Sequence, residues 1–141
     1  MKPLPLRRIV LDTGVLIALF DRGDKDHQLA LLGFAELERQ NTELIVPSAV
    51  VLETAKRLFF DTTVSIMRHA TQVMLENMGV LDTTPFVIRD ALELTQTMSG
   101  WGATLEDAIV INTALTLNAP VWTMNYRDFA AIKNLQFWSP E

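Results

Sequence analysis

Four apolar runs in this sequence are bordered by an acid or an amide. Asp12 follows Arg8-Ile9-Val10-Leu11, and Glu53 follows Val50-Val51-Leu52. Asp107 precedes Ala108-Ile109-Val110-Ile111, and Asn125 follows Val121-Trp122-Thr123-Met124. An ionised carboxylate avoids dry surroundings unless a counter-charge or hydrogen bonds compensate it. One such residue is ordinary, but several converging on one pocket would form an all-oxygen donor set suited to a hard divalent cation. Asp128 lies three residues beyond Asn125 and can supply charge where the amide supplies only a weak neutral donor. Thr13 places a hydroxyl beside Asp12, as an outer contact to an ion or a contact to substrate. Lys56, Arg57 and Arg127 are the basic residues nearest these acids in sequence, and so the candidates for phosphate contacts.

Each of these residues also has a plainer reading. Asp12 can cap the short helix that follows it. Glu53 can pair with Lys56 or Arg57 one helical turn on. Thr104-Leu105-Glu106-Asp107 fits a capping box, in which the acid returns to the first backbone amide. An acid at that place also faces the positive end of the helix dipole, which favours its ionised form. Glu106 is expected to point away from the site while adding to its charge. Asn125 can cap a last short helix, with Asp128 as its third residue. His27 and His69 are the only histidines and form no triad with a nucleophile, so they are assigned to the surface or to packing. Trp101, Trp122 and Trp138 are read as core or interface residues.

The elements that must position these groups alternate in type. Ile9–Leu11 reads as a buried strand, and Gly14 allows a tight turn into a helix through Phe20. After the charged loop 21–26, Asp24 or Asp26 can cap a helix over His27–Gln40. Leu44–Val46 is a second strand stopped by Pro47, with Ser48 as N-cap of a helix towards Phe60. Helical spacing then covers Thr62–Asn77. Gly79–Leu81 is a third strand, and Thr84-Pro85 opens a helix to about Met98. Ser99-Gly100-Trp101-Gly102 breaks the chain. A helix over Thr104–Leu117 ends at Asn118, Pro120–Thr123 is a fourth strand, and Phe137-Trp138 a short fifth. This order predicts a single α/β domain over residues 1–141, with a mostly parallel sheet of four to five strands flanked by helices. Ligands of such sheets sit beyond the carboxyl ends of the strands, where Asp12 and Asn125 fall.

The bulk numbers bound the class. A chain of 141 residues, 49% hydrophobic, is long enough for one domain with a sizeable core. Its mean hydropathy of +0.20 is consistent with apolar surface covered by a partner or a second copy. A net charge of −5 argues against a strongly basic nucleic-acid-coating protein, though not against a nuclease whose carboxylates are offset by metal. With no cysteine there is no disulfide, zinc-thiolate site, iron–sulfur cluster or thiol catalysis, which fits the cytoplasm. Residues 1–20 mimic a signal peptide superficially, but Asp12 interrupts the apolar stretch and no small-residue cleavage site follows. No apolar run approaches the ~20 residues that span a bilayer.

The ordered set of segments resembles the PIN-domain family, and in particular its small VapC-like toxins. The segments are Ile9-Val10-Leu11-Asp12-Thr13-Gly14-Val15-Leu16-Ile17, Asp24-Lys25-Asp26-His27-Gln28-Leu29-Ala30, Val46-Pro47-Ser48-Ala49-Val50-Val51-Leu52-Glu53, Leu105-Glu106-Asp107-Ala108-Ile109-Val110 and Thr123-Met124-Asn125-Tyr126-Arg127-Asp128-Phe129. Each is loose alone; the combination, in order and over nearly the whole chain, is specific. The resemblance implies a Rossmann-like sheet and a Mg2+- or Mn2+-dependent endoribonuclease, the toxin of a toxin–antitoxin pair. It implies Asp12, Glu53 and Asp107 as the principal acids and metal ligands, with Asp128 as a further catalytic acid. Asn125 falls where a fourth acid is common, which bears on a second metal position. Thr13 and Arg127 are the expected substrate contacts. The implied partners are RNA, an antitoxin protein and a second copy of the chain. A PIN-like RNA-binding or scaffold protein without catalysis is the alternative, motivated by Asn125 and the acidic charge. A haloacid-dehalogenase phosphatase expects a second Asp where Gly14 stands. A receiver domain expects paired acids before its first helix and a lysine after a late strand, which this chain lacks.

Overall fold

The computed structural model describes residues 5–98, 100 and 102–141. Its elements run β1 (Arg8–Leu11), α1 (Thr13–Phe20), α2 (His27–Arg39), β2 (Glu43–Pro47), α3 (Ser48–Asp61), α4 (Val64–Asn77), β3 (Gly79–Leu81), α5 (Pro85–Thr97), α6 (Leu105–Leu117), β4 (Val121–Trp122) and α7 (Tyr126–Phe129). The four strands form one sheet in the order β3-β2-β1-β4, and every pairing is parallel. This is the α/β sheet flanked by helices that the alternating pattern predicts. Phe137 joins only as an isolated bridge to Val121, so the expected fifth strand contributes a single parallel contact.

A parallel strand buried on both faces reads as a continuous apolar run. Ile9, Val10 and Leu11 are all fully buried, as are Val46, Val121 and nearly all of Trp122. The chain builds outward from β1 through β2 to β3, then returns to place β4 on β1's other side. That reversal opens a crevice beyond the carboxyl ends of β1 and β4, where ligands of such sheets collect. The β1–β4 seam is closed by backbone bonds from Val10 N to Pro120 O (2.9 Å) and from Asp12 N to Trp122 O (3.2 Å).

Trp122 also fixes the helix above it. A Cβ at Gly33 of α2 would lie 2.3 Å from the indole of Trp122, so the glycine is what allows this close approach. Two caps follow expectation: Thr84 on α5, and the full capping box of Thr104 and Asp107 on α6; Thr63 caps α4, which begins at Val64 rather than at the expected Thr62. Asn118 ends α6 in the left-handed region at φ 50°. Two caps differ. Asp26 stands at the N-cap of α2 without a side-chain cap bond, because the loop folds on Asp24, whose Oδ1 accepts from Asp26 N (2.8 Å). Ser48 is not the N-cap of α3 but its first helical residue, Pro47 taking the cap position. Ser99 and Trp101, within the expected chain break, lie outside the described residues; Gly100 has φ 73°.

Candidate functional site

The structure carries Asp12, Glu53 and Asp107 to one edge of the sheet from three different elements. Asp12 closes β1 and is the N-cap of α1, so its two readings are compatible: Oδ1 accepts from Thr13 N at 2.8 Å. Its other oxygen, Oδ2, accepts from Thr123 Oγ1 at 2.7 Å, across the crevice from the end of β4. The residue is only 4% exposed. Burial, and then the neighbouring Asp107 carboxylate, push its pKa up from 3.8 to about 6. The bonds from Thr123 and Thr13 pull the other way.

Glu53 projects from the second turn of α3, between exposed Leu52 and fully buried Thr54. It is half-buried, and its Oε2 is buried with no hydrogen-bond partner. Lys56 and Arg57 are exposed, and among the described residues no ion pair joins Glu53 to either. Burial, and then the Glu106 carboxylate, raise its pKa from 4.5 to about 7, with Asp107 and Asp12 adding smaller pushes. Glu106 therefore belongs to the cluster, against the expectation that it points away: of the neighbouring carboxylates it acts most strongly on Glu53.

Asp107 is the third residue of α6, and its capping box is formed. Oδ2 accepts from Thr104 N at 3.0 Å, while its own backbone N donates to Thr104 Oγ1 at 3.1 Å. The box aims the carboxylate at the helix start while leaving Oδ1 uncommitted. Four acids thus share one electrostatic field. Among the described residues, though, no group of three or more His, Asp or Glu side chains stands closed around a common centre. Like charges held this near separate as far as their side chains allow, and Asp107 is additionally drawn to its own helix cap.

The β4–α7 segment enters mainly through Thr123, which reading by residue type missed. Its hydroxyl donates to Asp12 and accepts from Asn125 N at 2.9 Å, so it links the two strand ends that flank the crevice. A hydroxyl at the end of the strand next to the one bearing Asp12 was the available signal. Asn125 is the half-buried N-cap residue of α7, with no side-chain cap bond. Asp128 is the third residue of α7 and half-buried, and Arg127 is exposed. No hydrogen bond between these three side chains and the acids occurs among the described residues. Thr13 is buried with its Oγ1 unpartnered, an uncommitted donor beside Asp12. His27 Nδ1 donates to Ala18 O (2.7 Å), and His69 packs edge-on against Phe20, both in the packing roles expected of them. Trp122 and Trp138 stack edge-to-face in the core layer, while Trp101 lies outside the described residues.

The donor set fits a hard divalent cation. All its side-chain donors are oxygens, a buried carboxylate oxygen lacks any partner, and neighbouring carboxylates help to raise the pKa of Asp12 and of Glu53.

The fold is shared with solved proteins. The chain is similar to the VapC20 toxin of Mycobacterium tuberculosis, described as cleaving the sarcin-ricin loop, with a TM-score of 0.76 and 19% identity over 87% of this chain and 93% of that one. It is similar to VapBC2 from Rickettsia felis, solved with a fragment of promoter DNA, at a TM-score of 0.70 and 18% identity over 93% and 97%. The third is VapBC-1 from nontypeable Haemophilus influenzae, at 0.69 and 23% over 94% and 97%. No curated protein matches the chain in sequence. The sequence pattern of the PIN domain matches residues 9–135, which takes in every acid of the cluster, and the chain belongs to the PIN-domain family.

Proposed function

We propose that the chain is a divalent-metal-dependent endoribonuclease, the toxin of a toxin–antitoxin pair. The observation that carries this reading is the uncompensated acid cluster beyond β1 and β4, with Glu53 Oε2 buried and unpartnered. Asp12, Glu53 and Asp107 would hold Mg2+ or Mn2+, with Glu106, Asn125 and Asp128 at its margin. A bound ion supplies positive charge that acidifies a water nucleophile and offsets the charge building on the phosphoryl group.

The chain's own residues do the rest. Thr13 N and Thr123 Oγ1 hold both oxygens of Asp12, so this carboxylate keeps its direction. Glu53, with a pKa raised to about 7, would hold the cation as its carboxylate. The N-terminus of α6 offers its dipole to Asp107 and to an approaching phosphate. Arg127, exposed on the same crevice's α7, neutralises a flanking phosphate of the RNA backbone, and Thr13 Oγ1 supplies a further polar contact.

Support for a protein partner comes from exposed apolar side chains. Leu52 and Phe60 of α3, Phe86 of α5 and Leu32 of α2 are each 63–71% exposed. An antitoxin and a second copy of the chain are the proposed cover, in line with the VapBC complexes of like fold. Among the described residues no helix is long and apolar enough to cross a membrane.

Asp12→Asn and Asp107→Asn test the proposal. Each is expected to lower Mg2+- or Mn2+-supported RNA cleavage on the order of 100-fold or more while circular dichroism stays native. Wild-type cleavage by either variant would overturn the assignment of these acids to catalysis, and absence of Mn2+ binding at millimolar concentration would favour a PIN-like scaffold.

A further inference from the structure

Helix α3, which carries Glu53, starts without a cap of its own. Pro47 occupies the N-cap position and has no side-chain acceptor, so the first N–H groups of the helix need partners from elsewhere. A distant segment supplies one such partner and is bound in return by the first residue of the helix. Ala49 N donates to Thr83 Oγ1 at 3.0 Å, and Thr83 N donates to Ser48 Oγ at 2.9 Å. The arrangement is a capping box drawn across 34 and 35 residues of sequence, with the two hydroxyls exchanging backbone amides.

Thr83 lies between β3 and α5, and α5 packs along α6, the helix of Glu106 and Asp107. Ala49, the residue whose N–H is captured, packs beside Ala91 of α5 and Ala108 and Ile109 of α6. The bonds therefore fix the start of α3 against the layer that holds the other acids. Glu53 stands five residues on from Ser48, about 7.5 Å along the axis at 1.5 Å per residue. The helix orientation here is consequential, since Leu52 is 71% exposed and Thr54 fully buried on either side of Glu53. A cap internal to α3 would satisfy the same N–H group without constraining its direction.

We propose that Ser48 and Thr83 form a clip that positions Glu53 against Glu106 and Asp107, making both of them positioning residues for the metal site. The inference rests on the metal-dependent reading above. Its test uses the full chain in four forms: wild type, Thr83→Val, Ser48→Ala and Thr83→Ser. Titration calorimetry with Mn2+ alone gives affinity, RNA cleavage gives kcat and KM separately, and thermal melting gives stability. Thr83→Val and Ser48→Ala are expected to weaken Mn2+ by about threefold to tenfold, less than a direct contact to a ligand would cost. They lower kcat with KM unchanged, and Thr83→Ser, which keeps the hydroxyl, restores wild-type values. Should Thr83→Val not fold, Ser48→Ala carries the same expectation. Folded variants that bind Mn2+ and cleave as wild type does, whatever their melting temperature, overturn the clip alone. So does a Thr83→Ser protein as weak as Thr83→Val. A wild-type chain that binds no Mn2+ overturns the metal reading and the clip with it.

Discussion

Asp12 and Glu53 face each other's charge in one crevice and are supported in opposite ways. At Asp12 both oxygens are hydrogen-bonded, one by the first amide of its own helix and one by a hydroxyl from the neighbouring strand end. At Glu53 one oxygen is buried with nothing to accept, and the charge acting on it most strongly is another carboxylate. Both pKa values are raised, yet for Asp12 the bonds from Thr123 and Thr13 oppose the rise, whereas every cause acting on Glu53 reinforces it. One acid is held in place by the protein, and the other is left for a cation to complete. A rigid anchor beside an unsatisfied acid allows the site to accept an ion without first breaking a protein contact.

The contrast can be broken at each end. Glu53→Gln gives the largest effect: Mn2+ affinity falls on the order of 100-fold by calorimetry, while the metal-free protein melts higher than wild type because a like charge has gone. Equal melting temperatures would show that Glu53 is not strained by its neighbours. Thr123→Val removes the hydroxyl that steadies Asp12 and is expected to weaken Mn2+ about tenfold, with Thr123→Ser near wild type. Unchanged affinity would mean that Asp12 is held by the Thr13 amide alone.

The smallest effect is in pH dependence. For both acids the folded pKa lies above the unfolded one, from 3.8 to about 6 for Asp12 and from 4.5 to about 7 for Glu53. The folded state therefore holds more protons between these values, so stability is fully present below the unfolded pKa and is lost as pH rises through about 7. Metal-free protein should melt a few degrees higher at pH 5 than at pH 7.5. Added Mn2+ should raise the melting temperature more at pH 7.5, where protons no longer compete. A metal-free melting temperature that climbs from pH 5 to pH 7.5 would contradict the picture.

Much of this was readable from local signals. Apolar runs marked β1 to β4, and Thr84 and Thr104 stood where caps belong, because strand burial and capping act over a few residues. Asp12, Glu53 and Asp107 were singled out by their place beside those runs. What the sequence hid were relations between distant segments. Ser48 looks like the N-cap of its helix, yet its hydroxyl serves Thr83, 35 residues on. Thr123 reaches Asp12 across 111 residues, and no periodicity encodes that bond. Glu106 was expected to point outward because only its position on α6 was visible, not the approach of α3. Phe137-Trp138 had the composition of a strand but pairs in parallel at one position only, beside a β4 that is itself just two residues long.

The strand order has a consequence for timing. β1 emerges first in synthesis but receives its β4 partner, and with it Thr123, only after more than a hundred further residues. Contacts that close loops of this length form late and slowly compared with local ones. A nascent chain still lacking the β4 segment has no crevice and no second bond to Asp12, so the proposed nuclease stays inert until nearly the entire described chain has been made. For a protein whose activity would attack RNA in the cell that synthesises it, the fold itself acts as a delay.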